Sequence, residues 1–273
     1  MSSTAKDHSG GNSLVRVEGL HKSFGDKQVL KGIDIGFAPH KTTVVLGPSG
    51  CGKSVLLKHL VGLLRPDQGE VWFDGERIDT VPEREFTRIR RQFGFLFQMG
   101  ALFDSLNVRE NLTFPLHESG VHDQQECTER TMQVLAMVGL EECVNMMPAD
   151  LSGGQRKRIA LARSIVLRPR VILYDEPTTG LDPIRSDVIN ELILKLQQEL
   201  EATSIVVTHD LASAFKVADY MILMLDGHVV MEGVPERFRN PEDPEIARFM
   251  QGRASKQELA AIRNSSHRTG VLS

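Results

Sequence analysis

The chain has 273 residues, of which 41% are hydrophobic, and a formal net charge of -4. A chain of this length can bury enough apolar surface for one large domain or two closely joined subdomains. The acidic balance argues against a nucleic acid as partner. The three cysteines, Cys51, Cys127 and Cys143, are not spaced as C-x-x-C and favour a reducing compartment over a disulfide framework.

The N-terminal part of the chain predicts a tail followed by antiparallel strands. Residues 1–12 are polar and rich in glycine and serine, which indicates a flexible tail and not a secretion signal. Apolar residues then alternate, as at Ile33, Ile35 and Phe37, which is typical of half-buried antiparallel strands. Nowhere does the sequence reach the roughly 20 continuous apolar residues that span a bilayer. If the protein works at a membrane, another chain supplies the span.

The segment "GPSGCGKS" joins a predicted strand to a predicted helix. An apolar, β-branched run ends at Leu46, and Leu56, Leu60, Leu63 and Leu64 then follow helical spacing. Glycines in such a loop let backbone N–H groups turn inward and form an anion cradle at the helix N-terminus. In the G-x-x-x-x-G-K-[ST] pattern the lysine reaches the outer phosphates of a nucleotide and the hydroxyl holds Mg²⁺. The residues predicted to bind nucleotide here are Gly47, Pro48, Ser49, Gly50, Cys51, Gly52, Lys53 and Ser54.

A mostly helical insertion is expected from about residue 84 to residue 150, where the polar and apolar residues repeat with longer periods. Two hairpins are expected outside it, at Asp74-Gly75 and at Asp226-Gly227. A helix then begins after Ser152, Gly153 and Gly154, so the chain has a second helix end suited to an anion. This is either an ordinary serine N-cap or a site for the γ-phosphate held by another copy of the protein.

Two further strands end in polar residues. The apolar run from Val171 to Tyr174 is followed by Asp175, which suits a Mg²⁺ shell, and by Glu176, which is placed to polarise an attacking water. The run from Ile205 to Val207 leads to His209, which is either a core group or a sensor of the γ-phosphate.

These motifs resemble those of ATP-binding-cassette ATPases over about residues 14–250. The segment from Leu151 to Gln155, "LSGGQ", matches the family signature, and Gln98, Asp182 and His209 resemble the Q-loop glutamine, the D-loop aspartate and the switch histidine. The resemblance implies an α/β fold: a P-loop NTPase (RecA-like) core with a mostly parallel sheet, an N-terminal antiparallel β-subdomain and a helical signature subdomain. It also implies a head-to-tail dimer that holds two ATP molecules with Mg²⁺.

The family pattern implies the roles of the remaining site residues. Catalysis is expected from Glu176, His209, Lys53 and Gln98, and Mg²⁺ is expected at Ser54, Gln98 and Asp175. The nucleotide of the second copy is expected at Ser152, Gly153, Gly154, Gln155 and Asp182. The family usually stacks adenine on a tyrosine before the phosphate loop, and here Phe24 stands near that place, either as the stacking ring or as an ordinary core aromatic.

A single cassette of this length resembles a transporter subunit, and a soluble cassette protein is the alternative. "ALFDSL", "FPL" and "GLDPI" are similar to the Mla/Mce type of lipid transporter ATPase, with a small-solute importer ATPase as the other interpretation. The partners implied are a transmembrane permease and MCE- and STAS-domain proteins, with the ATPase peripheral on the cytoplasmic face of the inner membrane. Met99, Leu102 and Phe103 either contact the permease or belong to the core of the insertion.

The predicted domains are a tail at 1–12, an ATPase domain at 13–250 and an extension at 251–273. A short helix is expected around Lys256 to Ile262. The extension is either a solvated tail or a clasp onto a partner subunit.

Overall fold

The computed structural model describes residues 13–253. The predicted tail at 1–12 and the predicted helix at 256–262 lie outside the described residues. The chain divides into two compact units, with the boundary between Glu232 and Gly233. The predicted domain boundaries at 12, 13, 250 and 251 stay predictions.

The first unit contains most of the secondary structure. Its strands are β1 (Val15–Phe24), β2 (Lys27–Phe37), β3 (Thr42–Leu46), β4 (Gln68–Phe73), β5 (Glu76–Arg77), β6 (Phe93–Leu96), β7 (Val171–Asp175), β8 (Thr203–Thr208), β9 (Tyr220–Leu225) and β10 (His228–Gly233), of which the last residue, Gly233, belongs to the second unit. Its helices are α1 (Lys53–Leu60), α2 (Glu83–Arg90), α3 (Val108–Glu118), α4 (Gln124–Val138), α5 (Gly153–Ile165), α6 (Pro183–Leu200) and α7 (Leu211–Val217). The second unit contains a 3-10 helix, Pro235–Phe238, and α8 (Pro244–Met250).

Two sheets form the first unit. The smaller has the order β2-β1-β4-β5 with antiparallel pairs, so the predicted N-terminal antiparallel subdomain is confirmed. The larger has the order β10-β9-β3-β8-β7-β6, and the pairs from β9 to β6 are parallel. The predicted α/β class with a mostly parallel sheet is therefore confirmed.

The predicted hairpins are present. Asp74 and Gly75 have φ of 51° and 79°, and Asp226 and Gly227 have φ of 47° and 81°. These left-handed pairs match the twist of the flanking strands.

The core lies between the two sheets and around α1. Every residue of β3, β7 and β8 is buried, as expected for parallel strands covered on both faces. Leu56, Leu57 and Leu60 of α1 belong to the same hydrophobic cluster as residues of both sheets. This packing fixes the position of α1, and hence of the glycine loop before it.

The expected continuation of α1 through Leu63 and Leu64 is wrong. The helix ends at Leu60, and Gly62 follows with a left-handed φ of 64°. A Cβ at Gly62 would lie 2.3 Å from Cζ of Phe86, so a side chain there has no room. Leu63 is 52% exposed.

The region predicted as a helical insertion, residues 84–150, is more mixed than expected. It contains α3, α4 and most of α2, but also β6, which pairs with β7 in the main sheet. The sequence of β6, "FGFL", is short and gave no separate signal. Its pairing places the loop of Gln98 at the edge where β7 ends.

We predict that Gly94→Ala lowers the free energy of unfolding. Gly94 lies on β6, and a Cβ there would be 2.3 Å from the carbonyl oxygen of Ser164 on α5, so the helix must move away from the sheet. Overpacking of this kind costs about 1–3 kcal/mol, which chemical denaturation measures. The control is Gln124→Ala on the exposed start of α4, expected to change stability by at most about 0.5 kcal/mol. Equal stability of the two variants would contradict the close packing of α5 on β6.

Candidate nucleotide-binding site

Four neighbouring parallel strands bring the predicted site residues to one edge of the main sheet. The glycine loop follows β3, His209 follows β8, Glu176 follows β7 and Gln98 comes two residues after β6. The carboxyl edge of an open parallel sheet is where such folds bind ligands. The four motifs, distant in the sequence, therefore meet because of strand order.

Glycine is required in the glycine loop because of the positive φ of its backbone and because a Cβ atom would clash with neighbouring atoms. Gly52 has φ of 109°, and a Cβ there would lie 2.7 Å from Cδ2 of Leu30. A Cβ at Gly47 would lie 2.4 Å from the carbonyl oxygen of Met224. The loop therefore lies against the neighbouring backbone, and its turn into α1 is open only to glycine.

Lys53 is buried, and its ammonium group contacts both the loop and a carboxylate. Its Nζ donates to the carbonyl oxygens of Gly47 at 2.8 Å and of Pro48 at 3.1 Å. Oε1 of Glu176 lies 3.5 Å from the same Nζ. Lys53 is 5% exposed and Glu176 is 8% exposed, so the two opposite charges form a buried ion pair.

Ser54 and Asp175 form the pair expected to hold the metal. Oγ of Ser54 donates to Oδ1 of Asp175 at 2.7 Å. Burial raises the pKa of the Asp175 carboxyl, and the hydrogen bond from Ser54 opposes this shift. A buried carboxylate beside a hydroxyl presents the oxygen ligands that Mg²⁺ prefers. Within residues 13–253, no group of three or more His, Cys, Asp or Glu side chains is placed to hold a metal ion.

Glu176 has the most contacts at this edge. Nδ1 of His209 lies 2.9 Å from Oε2 of Glu176, and the hydroxyls of Thr179 and Thr208 donate to the same oxygen at 3.3 and 3.4 Å. Glu176 has a left-handed φ of 50°, which is unfavourable for a residue with a side chain. A strained residue held by several partners is typical of a functional site.

A cavity of 330 Å³ opens at this edge. Phe24 is 48% exposed, so it is not an ordinary core aromatic, and its ring is available to a base. Gln98 is exposed and lines the same cavity. The residues lining the cavity are Phe24, Val29, Ser49, Gly50, Gly52, Lys53, Ser54, Val55, Gln98, Glu176 and His209.

The signature residues do not line this cavity. Oγ of Ser152 accepts a hydrogen bond from the backbone N–H of Gln155, and Oε1 of Gln155 accepts one from the N–H of Ser152. This capping box starts α5, so within a single copy of the chain Ser152 acts as the N-cap of that helix. Ser152 and Gly153 remain exposed at the helix end.

Asp182 has a similar local role. Its Oδ1 accepts a hydrogen bond from the N–H of Arg185 and caps α6. Gly47, Pro48, Cys51 and Asp175 are not among the residues that line the cavity, although Asp175 accepts a hydrogen bond from Ser54, which does line it.

Three polar residues of the site could not be found from its sequence motifs. Lys157 donates to backbone carbonyls of Gln98, Glu176 and Thr179, and Thr208 and Thr179 contact the Glu176 carboxylate. Lys157 stands in "GQRKRIAL", where a lysine on a helix predicts a solvated side chain. Only the packing of α5 against β6 reveals its burial.

A strand, a glycine loop and a helix with Lys53-Ser54, facing two acidic residues at the end of a neighbouring strand, define the class of P-loop nucleotide-binding proteins. Within residues 13–253 we find no helix long and apolar enough to cross a membrane.

The sequence profile described as "ABC transporter" matches residues 30–179. Over 239 residues the chain is 41% identical to the "Probable ribonucleotide transport ATP-binding protein mkl" of Mycobacterium tuberculosis, covering 88% of this chain and 67% of mkl. Over 240 residues it is 38% identical to the "Intermembrane phospholipid transport system ATP-binding protein MlaF" of Haemophilus influenzae, covering 88% and 91%.

Solved structures agree with the fold. The ATP-binding cassette MJ0796, seen as a dimer in a post-hydrolysis state bound to ADP and Pi, has a TM-score of 0.75 and 34% identity, covering 81% of this chain and 98% of its own. The chain belongs to the ABC transporter family, so the resemblance seen in the "LSGGQ" motif is confirmed. Binding of ATP is a property of this family.

We predict that the Cys51 thiol reacts slowly with iodoacetamide in the folded chain. Burial raises the pKa of Cys51, although Lys53 acts in the opposite direction, so the thiol is protonated at neutral pH. Labelling should speed up only as the pH rises past the ordinary value for a thiol, and unfolding should remove the protection. Mass spectrometry of the peptide containing Cys51 measures this. Rapid labelling of the folded chain at pH 7 would contradict the burial of this thiol.

Proposed function

We propose that this chain is the ATP-hydrolysing subunit of a membrane transporter that moves phospholipid or another lipid through a separate permease. One observation carries the hydrolytic part: Lys53, Glu176 and His209 meet in one cavity, with Ser54 and Asp175 in contact beside it. This arrangement supports the proposed roles: Lys53 as the cation for the phosphates, Glu176 as the base for water, and Ser54 and Asp175 as metal ligands.

Glu176 is the proposed base. In the described fold its carboxylate lies between Lys53 and His209. When ATP binds, phosphate oxygens take over the contact with Lys53, and the Glu176 carboxylate is then available to a water molecule. As Glu176 takes a proton from that water, the water oxygen bonds to the γ-phosphorus, and the bond from the γ-phosphorus to the β,γ-bridging oxygen breaks, so that ADP leaves. Lys53 and His209 meet the charge on the transferred phosphoryl group.

Ser54 and Asp175 are the proposed ligands of Mg²⁺, and Gln98 is the proposed third. The first two are already in contact, and Gln98 reaches the cavity from the neighbouring loop. When bound, Mg²⁺ neutralises charge on the phosphates. Phe24 offers its exposed ring for stacking on the base.

A second copy of the chain is the proposed partner at the open side of the cavity. Ser152, Gly153 and Gly154 stand at an exposed helix end, outside the cavity of their own chain. A helix N-terminus with small residues binds phosphate well. In a head-to-tail pair these residues, with Gln155 and Asp182, complete the site of the other copy.

The proposed permease contact is the apolar surface of Met99, Phe103 and Phe114. These side chains are 91%, 43% and 41% exposed, which argues against the core interpretation of Met99 and Phe103, whereas Leu102 is half-buried. The rings of Phe103 and Phe114 meet edge to face, with 4.9 Å between centroids. An exposed apolar cluster of this kind marks an interaction site.

The buried side chain of Asn111 and the half-buried side chain of Arg163 hold this surface in place. Asn111 accepts from the N–H of Phe103 and donates to the carbonyl of Leu106, and Arg163 donates to the carbonyl of Gly100. The folded chain itself therefore shapes this surface, and Met99, its first residue, directly follows Gln98, which lines the cavity. A permease segment that binds Met99 would therefore contact the residue next to Gln98.

The proposal of a lipid cargo is based on the names of the relatives. MlaF is named for phospholipid transport between membranes, and mkl is named for ribonucleotides. The chain covers nearly all of MlaF and about two thirds of mkl, so we favour lipid. The further partners proposed are MCE- and STAS-domain proteins, with the ATPase peripheral on the cytoplasmic face of the inner membrane. A small-solute importer ATPase is the second candidate.

We predict that Glu176→Gln retains ATP binding and loses about 10²–10⁴-fold in turnover, since an amide cannot accept the proton of the attacking water. Steady-state phosphate release and equilibrium binding of ATP measure the two effects. The matched control is Glu129→Gln on the exposed face of α4, which should leave both unchanged. Turnover of Glu176→Gln within a few-fold of the unsubstituted chain would remove Glu176 from the role of base.

We predict that the native complex contains lipid. The experiment purifies the tagged chain from gently solubilised membranes and identifies both co-purified proteins and bound small molecules by mass spectrometry. A multi-span permease with an MCE-domain protein and phospholipid is the expected result. A permease with a solute-binding protein and no lipid would reject the lipid cargo and leave the ATPase chemistry standing.

A further inference from the structure

Lys157 lies between three segments of the site. It is on α5, one turn after Gly153, and is 6% exposed. Its Nζ donates to the carbonyl oxygens of Gln98 at 2.8 Å, Thr179 at 3.3 Å and Glu176 at 3.4 Å. An ammonium group has three N–H donors. The number of acceptors therefore matches the number of donors, and each acceptor is a backbone group whose position the lysine fixes.

This burial is unfavourable for a charged side chain. Desolvation lowers the pKa of Lys157, and the carboxylates of Glu176 and Asp175 act in the opposite direction. An apolar residue would fill the same space without desolvating a charge. The hydrogen bonds of Lys157, and not its volume, are thus the feature that distinguishes it from an apolar residue.

The backbone of Glu176 depends on such contacts. Its φ of 50° is left-handed, its N–H donates to the carbonyl of Val207 at 2.9 Å, and its carbonyl accepts from the N–H of Thr179 at 3.2 Å as well as from Lys157. A residue in this conformation persists only when its surroundings hold it. The direction of the Glu176 carboxylate follows from that backbone.

The shortest contact of Lys157 is with a different segment. Gln98 stands between β6 and Met99, which is the most exposed residue of the proposed permease surface. If the loop of Gln98 moves away from α5, the 2.8 Å hydrogen bond breaks and the ammonium group keeps only the carbonyls of Thr179 and Glu176 as acceptors. Lys157 therefore links the position of this loop to the turn of Glu176.

We propose that Lys157 is a positioning residue for hydrolysis, whose three hydrogen bonds keep Glu176 in its reactive orientation while the loop of Gln98 lies against α5. The proposal rests on the role of Glu176 as base in the proposed function. In this proposal the buried face of α5 positions Glu176, whereas the exposed end of α5 at Ser152 binds the nucleotide of the second copy.

The test compares two substitutions in the full-length chain. Lys157→Met keeps the length of the side chain and removes every donor, and Lys157→Gln keeps an amide with two N–H donors. The matched control is Lys195→Met, because Lys195 also donates to a backbone carbonyl, that of Met137 at 2.9 Å, but is 43% exposed and far along α6 from the site. For each chain we measure kcat, the Kd for ATP and the thermal unfolding midpoint.

We expect kcat of Lys157→Met to fall about 10- to 100-fold because the base is misplaced. The Kd for ATP should stay within about twofold, since binding does not require the base. Lys157→Gln should lie between Lys157→Met and the unsubstituted chain, and Lys195→Met should match the latter.

Three results would overturn the proposal. One is an unchanged kcat in folded Lys157→Met. Another is an unchanged kcat in folded Lys157→Gln, whose amide cannot serve three carbonyls, and this variant decides the question if Lys157→Met does not fold. The last is a joint loss of kcat, ATP affinity and thermal stability in Lys157→Met that Lys157→Gln does not restore, because this result would indicate a structural role only.

Glu176→Gln is assayed in parallel. If Glu176→Gln keeps its turnover, the proposed function fails. If Glu176→Gln is inactive while Lys157→Met is fully active, only the Lys157 proposal is rejected.

Discussion

The ion pair between Lys53 and Glu176 is the interaction on which the site depends. Both side chains are almost fully buried, with 3.5 Å between Nζ and Oε1, and neither charge would be tolerated there alone. The pair forms because β3, β8 and β7 are adjacent and parallel, so that the loop after β3 meets the turn after β7. A triphosphate with its metal brings negative and positive charge to the same place. In the proposed function, such a ligand rearranges the buried charges that the fold brings together.

The residues around this ion pair belong to the cavity and to α5, and the exposed end of α5 is the proposed contact with a second copy. His209 contacts Glu176 in the cavity, which Gln98 also lines. Lys157 of α5 donates to the backbone carbonyl of Glu176, and the exposed end of α5 at Ser152 faces a second copy in the proposed dimer. The apolar surface around Met99 begins one residue after Gln98. In the proposed mechanism, pairing of two copies, contact with a permease and hydrolysis thus act on the same few backbone segments.

The sequence predicted the parts of the fold that follow local rules. The strand ending at Leu46, the helix start at Ser152 and the hairpins at Asp74 and Asp226 were all visible, because turn chemistry, capping and periodicity are encoded within a few residues. The end of α1 was missed because Gly62 is forced by Phe86, a residue 24 positions away in the chain. β6 was missed because four residues carry too little pattern.

The site likewise contains residues that local sequence motifs predict and residues whose role depends on packing between distant segments. Motif residues such as Lys53, Asp175 and Glu176 could be named from their spacing, since the chemistry of phosphate binding demands those residue types in that order. Lys157, Thr179 and Thr208 could not be named, because their contacts arise when α5 and the strands pack together.

The central claim is that two copies of the chain enclose ATP, with the Ser152 helix end of one copy on the phosphates held by Lys53 of the other. Sedimentation of the Glu176→Gln chain with saturating Mg²⁺ and ATP tests it most directly, with ADP as the comparison. A dimer that forms with ATP and separates with ADP is the predicted result. A chain that binds ATP and stays monomeric at every concentration tested would contradict the claim.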